Sequence, residues 1–142
     1  MSNVQDNFVR LTLAAKDENV AVARLTTAAV AAQLGFTLSE VEELKVAVSE
    51  AVTNSIIHGY GGDEQRLIEL CLIADEEGLL LKVADEGVGI EDVPKALEPT
   101  WSSVAERMGL GFVFMQSFTD TLEVDSKPGQ GTAVVMKKQC RA

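Results

Sequence analysis

Three polar side chains of one predicted helix have the types and the spacing that phosphoryl transfer requires. Glu50, Asn54 and His58 follow one another at intervals of four residues. Each such step turns only about 40° around a helix, so the three groups form one stripe. The amide oxygen of Asn54 can ligate Mg²⁺, and the carboxylate of Glu50 can accept a proton from an attacking hydroxyl or water. A solvated polar face is the alternative interpretation, and this stretch alone favours neither.

The helix that positions this stripe has an apolar side as well. Its small and medium side chains follow the 3.6-residue period, which predicts burial against a core. Ser39 and Glu42 have the spacing of a capping box, which predicts where the helix begins. Glycines at 59, 61 and 62 predict its end near Tyr60. The predicted buried side consists of Leu44, Ala47, Val48, Ala51 and Ser55.

A second motif, Asp85-Glu86-Gly87-Val88-Gly89, follows a predicted strand. A carboxylate at the end of a buried strand is a fixed acceptor, which can bind an exocyclic amino group such as that of adenine. Gly87 and Gly89 would let the backbone pass close to a flat ring. The alternative is ordinary turn chemistry after a strand, and the motif taken alone favours it.

A third motif, Met108 to Phe112, contains a glycine pair that is predicted to lead directly into a helix. Free backbone N–H groups and the positive end of a helix together form a phosphate cradle, to which Arg107 would add a cation. Close packing at a glycine-rich loop is the alternative. The motif lacks the third glycine and the βαβ context of a dinucleotide fingerprint, and the chain has no GxxxxGK[ST] loop.

A fourth motif, Gly129-Gln130-Gly131-Thr132, is most simply a hairpin turn. Its Thr132 hydroxyl could face the base that Asp85 would bind. The four motifs together, in this order, are more specific than any one of them.

The predicted elements form an α+β domain that spans residues 1–142. Asp17 and Gly35 are predicted to begin and end the first helix. The order β-α-α-β-β-loop-α-β-β predicts a two-layer sandwich, with one mostly antiparallel sheet and helices on one face. Strands are predicted at 8–14, 66–74, 79–84, 121–126 and 132–138, helices at 18–34, 39–60 and 109–118, a helical turn at 93–97, and a mobile segment at 98–108.

Composition limits the classes of partner. The 142 residues are 46% apolar, which is enough for a folded core, and their formal net charge is −10. A protein with this negative charge would be repelled by the phosphates of nucleic acid and by the headgroups of anionic lipid, so we expect it to bind neither. We expect a cytoplasmic protein, because residues 1–5 are polar with no apolar segment after them and no run approaches the ~18 residues of a membrane span.

The four motifs, in this order, resemble the N, G1 and G2 boxes of the GHKL ATPase superfamily. The stretch SEAVTNSIIHGY, followed by a short hairpin and DEGVGI, is similar to small bacterial anti-sigma factors that are also serine protein kinases. The similarity is greatest to the anti-sigma-F factors of spore-forming bacteria, and next to the anti-sigma-B type. It covers essentially the whole chain, from the first strand to Lys138.

The resemblance implies a GHKL α/β sandwich that binds ATP and Mg²⁺. Asn54 would ligate Mg²⁺, and Glu50 would be the base toward a substrate serine. Asp85 would bind the adenine amino group with Thr132 beside it, and Arg107 would meet the γ-phosphate. The remaining nucleotide contacts that it implies are Thr53, Gly87, Gly89, Gly109, Leu110 and Gly111.

The resemblance also implies partners. These are a sigma factor of the sigma-F type, an anti-anti-sigma protein of the STAS type as the phosphorylated substrate, and a second copy of the chain. Arg24 matches a basic position on the partner-binding face of the family, although a solvated arginine is an equal alternative. Phe8, Val9, Leu11 and Leu13 could form either a dimer edge or core.

The sequence departs from the anti-sigma-F pattern in the lid, Pro99 to Arg107, which is shorter than expected. Ser102 and Ser103 replace threonines, Val104 replaces a lysine, and Met108 replaces a small residue. We expect these changes to alter phosphate contacts and lid dynamics and to leave the nucleotide site intact.

Other functions fit the sequence less well. A detached histidine-kinase catalytic domain would need a phospho-acceptor elsewhere, because the single histidine, His58, lies in the ATP-site helix. A binding module that uses ATP without transferring phosphate would not need the base Glu50. A DNA-directed ATPase would conflict with the net charge.

Overall fold

The computed structural model describes residues 6–90, 92–97 and 103–140, and the side chains of these ranges except those at 95, 96 and 103–109. Short turns of 3₁₀-helix at Ala32–Leu34 and of π-helix at Ser55–Gly59 extend the first two helices. The elements are β1 (Asn7–Ala14), α1 (Glu18–Ala31), α2 (Leu38–Asn54), β2 (Leu67–Ala74), β3 (Gly78–Asp85), α3 (Val93–Ala96), α4 (Ser103–Phe118), β4 (Thr121–Lys127) and β5 (Gly131–Gln139).

The five strands form one sheet in the order β1-β2-β3-β5-β4, and each neighbouring pair is antiparallel. Helices α1, α2 and α4 pack together, and the core lies between them and one face of the sheet. This confirms the predicted α+β sandwich. Strand β2 shows why only one face of the sheet is buried by helices. Its alternate residues Ile68, Leu70 and Leu72 are fully buried in the core, while the residues between them point to the opposite face.

Helix α2 buries the side that its apolar period predicts. Leu44, Ala47, Val48, Ala51 and Ser55 are all at most 5% exposed. Helix α2 therefore lies on the sheet with its polar stripe turned aside, toward α4. No helix in the described ranges is long and apolar enough to cross a bilayer.

The capping box of α2 differs from the predicted one. Thr37, not Ser39, has an extended backbone (φ −66°, ψ 161°) and is the N-cap. Its Oγ1 accepts from Glu40 N at 3.1 Å, and Glu40 Oε1 accepts from Thr37 N at 2.9 Å. Ser39 already lies in the first helical turn, and Glu42 instead pairs with Lys45 at 3.2 Å. Sequence spacing alone does not distinguish the two pairs.

Of the two residues predicted to begin and end α1, one has the predicted role and the other has it only in part. Gly35 has the left-handed conformation (φ 88°) predicted for a C-terminal stop. Asp17 occupies the N-cap position, but its side chain makes no capping hydrogen bond. The position of the residue was correct and its predicted bonding role was wrong.

Helix α4 begins earlier than predicted. It starts at Ser103, six residues before Gly109, so residues 103–108 are helical where a mobile segment was predicted. Good helix formers in 103–108 explain the difference. Gly109 and Gly111 therefore lie inside the helix, beyond the first turn, where backbone N–H groups are normally bonded to carbonyls four residues back. The predicted cradle at a helix end that opens at Gly109 is absent from this conformation.

Candidate functional site

Glu50 and Asn54 meet helix α4 at Gly111. A Cβ atom built on Gly111 would lie 3.1 Å from Glu50 Oε2, 3.3 Å from Asn54 Nδ2 and 3.4 Å from Asn54 Oδ1. These distances are at the tight end of van der Waals contact, so a glycine lets the α4 backbone approach both polar groups. The structure therefore brings together two residues of the predicted stripe and one glycine of the third motif.

The third residue of the stripe, His58, lies one turn farther along, in the π-turn. It lines the same small cavity as Asn54. The predicted continuous helix to Tyr60 was wrong here, because α2 ends at Asn54 and a wider turn follows.

The amide of Asn54 has an unsatisfied polar atom. Its Nδ2 is buried, and the described part of the chain offers it no hydrogen-bond partner. A buried amide normally finds a partner, so this site is suited to a ligand. Rotation of the amide by 180° about χ2 would exchange Nδ2 and Oδ1, and the two orientations differ little in shape. In the rotated orientation Oδ1 would be the atom without a described partner.

This amide fits Mg²⁺ bound with a nucleotide. Mg²⁺ keeps several waters and usually takes one or two protein oxygens together with substrate phosphates. Among the residues that the structure describes, no group of three His, Cys, Asp or Glu side chains could hold a metal alone. A single amide oxygen is compatible with a metal that phosphates share, and it is not compatible with a metal site made only of protein.

Glu50 has the electrostatics of a proton acceptor that is partly removed from water. It is half-buried, and this burial raises the pKa of its carboxyl above the ordinary value of 4.5. A raised pKa makes the ionised form a stronger base, and general bases work best with a pKa near the operating pH.

The carboxylate of Asp85 is fixed at the end of β3. The side chain is 8% exposed. Ser55 Oγ donates to Oδ2 at 2.7 Å, and Gly87 N donates to Oδ1 at 2.9 Å. Gly59 forms a wall behind the group, because a Cβ atom there would lie 3.0 Å from Asp85 Cγ and from both carboxylate oxygens. Asp85 therefore has one orientation, with lone pairs left over for a ligand.

The π-turn at Ser55–Gly59 brings Ser55 and Gly59 to Asp85. Tyr60 N bonds to Ser55 O at 2.9 Å, five residues back, and this spacing defines the wider turn. Gly61 and Gly62 then end the helical segment with positive φ, which confirms the predicted glycine stop. The sequence placed Ser55 on the apolar side and gave no sign of its bond to Asp85, 30 residues away.

The loop from Glu86 to Ile90 is tied to neighbouring segments at successive residues. Val88 N donates to Gly59 O at 2.9 Å, and Val88 O accepts from Gly129 N at 2.7 Å. Ile90 N donates to Ser126 Oγ at 2.7 Å. The loop is therefore clamped between the π-turn on one side and the β4–β5 hairpin on the other.

Glycines permit this close approach. A Cβ atom on Gly87 would collide with the carbonyl oxygen of Gly59. Gly89 has φ 76°, and its Cβ would collide with the carbonyl oxygen of Lys127. The sequence predicted both glycines to let the backbone approach a bound ring, whereas the contacts in this structure are with the protein's own backbone.

Two side chains to which the sequence assigned no role hold the peptide groups of Glu86. Glu86 N donates to the hydroxyl of Tyr60 at 2.7 Å, and Glu86 O accepts from Arg66 at 2.9 Å. The Arg66 guanidinium also stacks 4.8 Å from the centre of the Tyr60 ring. Tyr60 ends the stretch SEAVTNSIIHGY and Arg66 begins a predicted strand, but nothing in either pattern indicates a contact with Glu86.

Thr132 lies beside Asp85, as predicted. The two are direct partners in the β3–β5 pairing. Thr132 Oγ1 lies 2.7 Å from Ser126 Oγ, which also contacts Gly131 O at 3.0 Å. Ser126 was not predicted, and it links Thr132 to the loop at Ile90.

The space between these groups is small. Its volume is about 20 Å³, which suffices for roughly one water molecule. Pockets for ligands of nucleotide size usually measure several hundred Å³. The cavity as it stands is therefore too small for a base, and Phe112 of α4 is one of the residues that limit it. The lining includes Asn54, Ser55, Asp85, Gly89, Phe112 and Thr132.

Two larger concavities lie nearby. One, of about 600 Å³, lies between α1 and α2, and its lining includes Arg24, Leu25, Lys45, Val46 and Glu50. The other, of about 740 Å³, lies on the face of the sheet away from the helices and reaches Tyr60, Arg66 and Asp85.

The remaining predicted contacts are untested. Thr53 is half-buried on α2, and Leu110 is 48% exposed on α4. The backbone of Arg107 and Gly109 lies in α4, but their side chains are outside the described set, and so is the lid stretch 98–102. Their roles toward a nucleotide stay predictions.

Comparison with known proteins gives a consistent result. Residues 13–138 match the family model described as the histidine kinase-like ATPase domain. An anti-sigma F factor of Clostridium acetobutylicum is 44% identical over 136 residues, which are 94% of each chain. One of Clostridium beijerinckii is 44% identical over 138 residues, which are 96% of each chain.

Solved structures support the fold. The chain aligns with a crystal structure of the RsbU and RsbW domains of Rv1364c from Mycobacterium tuberculosis with a TM-score of 0.66 and 18% identity, covering 96% of this chain and 33% of that one. It also aligns with the histidine kinase domain of the blue-light activated kinase from Erythrobacter litoralis EL346, with a TM-score of 0.51 and 22% identity, over 68% of this chain and 43% of that one.

Proposed function

Because the chain belongs to the anti-sigma F factors, a branch of the histidine kinase-like ATPase family, we propose that it is an ATP-dependent serine kinase and a sigma-factor inhibitor. It would bind a sigma factor of the sigma-F type and phosphorylate a serine of an anti-anti-sigma protein. In this way it would contribute to the control of transcription during sporulation.

The observation that carries the proposal is the position of Glu50 and Asn54 side by side against Gly111. An acceptor for the serine proton and an oxygen for Mg²⁺ are needed within one phosphoryl-transfer site. Asn54 would hold Mg²⁺, which when bound supplies positive charge to the phosphate oxygens. Asp85, which lines the same cavity as Asn54, would bind the adenine, with Thr132 beside it.

The transfer step uses Glu50 as the proton acceptor. The serine oxygen forms a bond to the γ-phosphorus, the bond from that phosphorus to the β–γ bridging oxygen breaks, and the serine proton passes to the Glu50 carboxylate. The half-buried position of Glu50 raises its pKa and therefore its basicity. Sequestration of a sigma factor alone would not need this group, so its presence favours a kinase over a binding module.

The groove between α1 and α2 fits the protein partner. It is lined by residues of both helices, and Glu50 is one of them. Leu25 is 68% exposed and Val46 is 39% exposed, and Arg24 and Lys45 add positive charge beside them. A segment that carries the acceptor serine and docks here would bring the hydroxyl toward Glu50. This supports Arg24 as a partner contact.

The open face of the sheet supports a homodimer. Phe8, Ile73 and Leu80 are paired in register across three strands, and Phe8 is 56% exposed. Val9 and Leu11 instead pack against the core from the other face, so Phe8 is the residue of this group available to a second copy. Replacement of Phe8 by Ser should shift the sedimentation of the purified chain from dimer to monomer, and an unchanged dimer would exclude this face.

Phosphate transfer is the decisive experiment. The purified chain would be incubated with γ-labelled ATP, Mg²⁺ and the anti-anti-sigma protein. We expect label on a partner serine, and we expect Glu50→Gln to abolish it while ATP and sigma-factor binding persist. Glu43→Gln is the matched control, because it makes the same charge change on α2, two turns before Glu50.

Other outcomes would replace the proposal. ATP binding and a stable sigma complex without any label would indicate a binding module in which ATP is only a conformational ligand. Label on a partner histidine would indicate a histidine-kinase activity. Transfer by Glu50→Gln at the wild-type rate would refute the role of Glu50 as base.

A further inference from the structure

We infer that Ser55 is a further specificity-determining residue of the nucleotide site, one that makes the base pocket select purines with an amino group at position 6. The inference deepens the proposed function and rests on it, because it assumes that the cavity at Asp85 receives the base of a nucleoside triphosphate.

The geometry of the contact is the first step. Ser55 is 5% exposed and Asp85 is 8% exposed, and the hydroxyl of the serine lies 2.7 Å from Asp85 Oδ2. Both side chains line the cavity. The bond connects the first residue of the π-turn to the last residue of β3. It therefore fixes the carboxylate relative to the helix that holds Glu50 and Asn54.

The count of donors and acceptors is the second step. A serine hydroxyl has one hydrogen and two lone pairs, and an ionised carboxylate has only lone pairs. The hydroxyl hydrogen is directed to Asp85, so both groups offer acceptors alone to the cavity. Gly87 N, the other donor to the carboxylate, is occupied by Oδ1 at 2.9 Å.

The chemistry of the base is the third step. An amino group at position 6 of a purine brings two hydrogens to this set of acceptors. A carbonyl at the same position brings lone pairs and leaves the buried acceptors unpaired. A site built to bond a donor rejects an analogue that lacks it more strongly than an apolar pocket rejects a missing methylene.

The serine has a role that the carboxylate cannot fill alone. Without the hydroxyl, Asp85 Oδ2 would lose its only donor among the described residues. Of the described groups, only the Gly87 N–H would then hold the carboxylate, which could turn away from the amino group of the base. Loss of the serine should therefore weaken the discrimination more than it weakens the binding of the triphosphate.

The test measures calorimetric binding of three triphosphates with Mg²⁺. ATP has an amino group at position 6, inosine triphosphate has a carbonyl, and purine riboside triphosphate has hydrogen. For Ser55→Ala we expect about a tenfold loss of ATP affinity, as for one hydrogen bond to a charged group. Purine riboside triphosphate should lose no more than about twofold. The control is Thr26→Ala, which removes an exposed hydroxyl bonded to its own helix.

The ratio of ATP affinity to purine riboside triphosphate affinity decides the outcome. A purely structural role of Ser55 would lower both affinities equally, and an unchanged ratio would overturn the inference while leaving the proposed function intact. Absence of ATP binding by the unmodified chain would overturn both. If Ser55→Ala does not fold, Ser55→Cys gives the same comparison, because its thiol is only somewhat larger than the hydroxyl and is a much weaker donor.

Discussion

The hydroxyl of Tyr60 accepts a hydrogen bond from the backbone nitrogen of Glu86 at 2.7 Å. Glu86 follows Asp85 directly, so the phenol holds the residue next to the proposed base-binding carboxylate. The same hydroxyl donates to Leu67 O at 2.6 Å. The ring thus joins the end of the π-turn, the start of β2 and the end of β3.

The first prediction concerns this phenol. Tyr60→Phe keeps the ring and its stacking with Arg66 but removes both hydrogen bonds. We expect a loss of about 1–2 kcal/mol in the free energy of unfolding. We also expect a several-fold loss of ATP affinity, because the loop that carries Asp85 loosens. Urea unfolding and calorimetry measure the two effects, and ATP affinity equal to that of the unmodified chain would show that the loop does not depend on Tyr60.

The second prediction concerns the pH dependence of transfer. Burial raises the pKa of Glu50 above 4.5, and a base works only when ionised. The rate should therefore fall as pH decreases through a value higher than 4.5. The pH profile of labelled phosphate transfer measures this limb, and a limb at or below the ordinary value would contradict the assignment.

The same shift has a consequence for stability, with a definite sign. A carboxyl whose pKa is higher in the folded than in the unfolded state destabilises the fold when ionised. This cost is fully present above the folded pKa and disappears as pH falls to the unfolded pKa. Glu50→Gln removes the cost, so this variant should be at least as stable as the unmodified chain at pH 7. Thermal unfolding at pH 7 and pH 4 checks the direction, with Glu43→Gln as control.

The third prediction concerns Asn54. Asn54→Ala should lose the part of ATP affinity that depends on Mg²⁺, so affinities with Mg²⁺ and with a chelator should become similar. The fold should lose little stability, because Nδ2 makes no hydrogen bond within the described residues. Titration of ATP under both conditions measures the difference. If Mg²⁺ strengthens ATP binding by the variant as much as by the unmodified chain, Asn54 is not the ligand.

The fourth prediction concerns Thr27 on α1. It is completely buried, and its Oγ1 has no hydrogen-bond partner among the described residues. Valine has the same shape without the hydroxyl, so Thr27→Val should raise the free energy of unfolding by about 1 kcal/mol.

Thr26 provides the matched control on the same helix. Its exposed hydroxyl donates to Val22 O at 2.8 Å, so Thr26→Val should leave stability unchanged or slightly reduced. Urea denaturation of both variants makes the comparison. A Thr27→Val variant that is less stable than the unmodified chain would mean that the hydroxyl has a partner in solution.

Much of the fold could be predicted because it depends on short-range pattern. The alternation in β2 and the 3.6-residue period of α2 identify the buried faces, since each side chain's direction follows from its own element. The boundary errors have a local cause. Thr37 and Ser39 are both acceptable N-caps by type, and only the backbone conformation decides between them.

The sequence patterns named residues that the structure brings together, and they gave no sign of the residues that hold them in place. Glu50, Asn54 and Asp85 belong to patterns with a chemical meaning, and the structure places the first two together. Ser55 and Tyr60 each bond to the Asp85–Glu86 segment, at least 26 positions away in the sequence. No periodicity marks such a bond, and the π-turn that creates the Ser55 contact has no sequence signal of its own.

The strand order determines when the proposed site can form during synthesis. Strand β5 is made after β4, yet it inserts between β3 and β4. Asp85 pairs with Thr132 across β3 and β5. This pair can therefore form only after the β4–β5 hairpin, which follows α4, has left the ribosome. Because this pairing closes a long loop, it is expected to be a slow step of folding. A nascent chain that has formed β1, β2 and β3 already has Glu50, Asn54 and Asp85, but it lacks the far wall that would enclose a nucleotide.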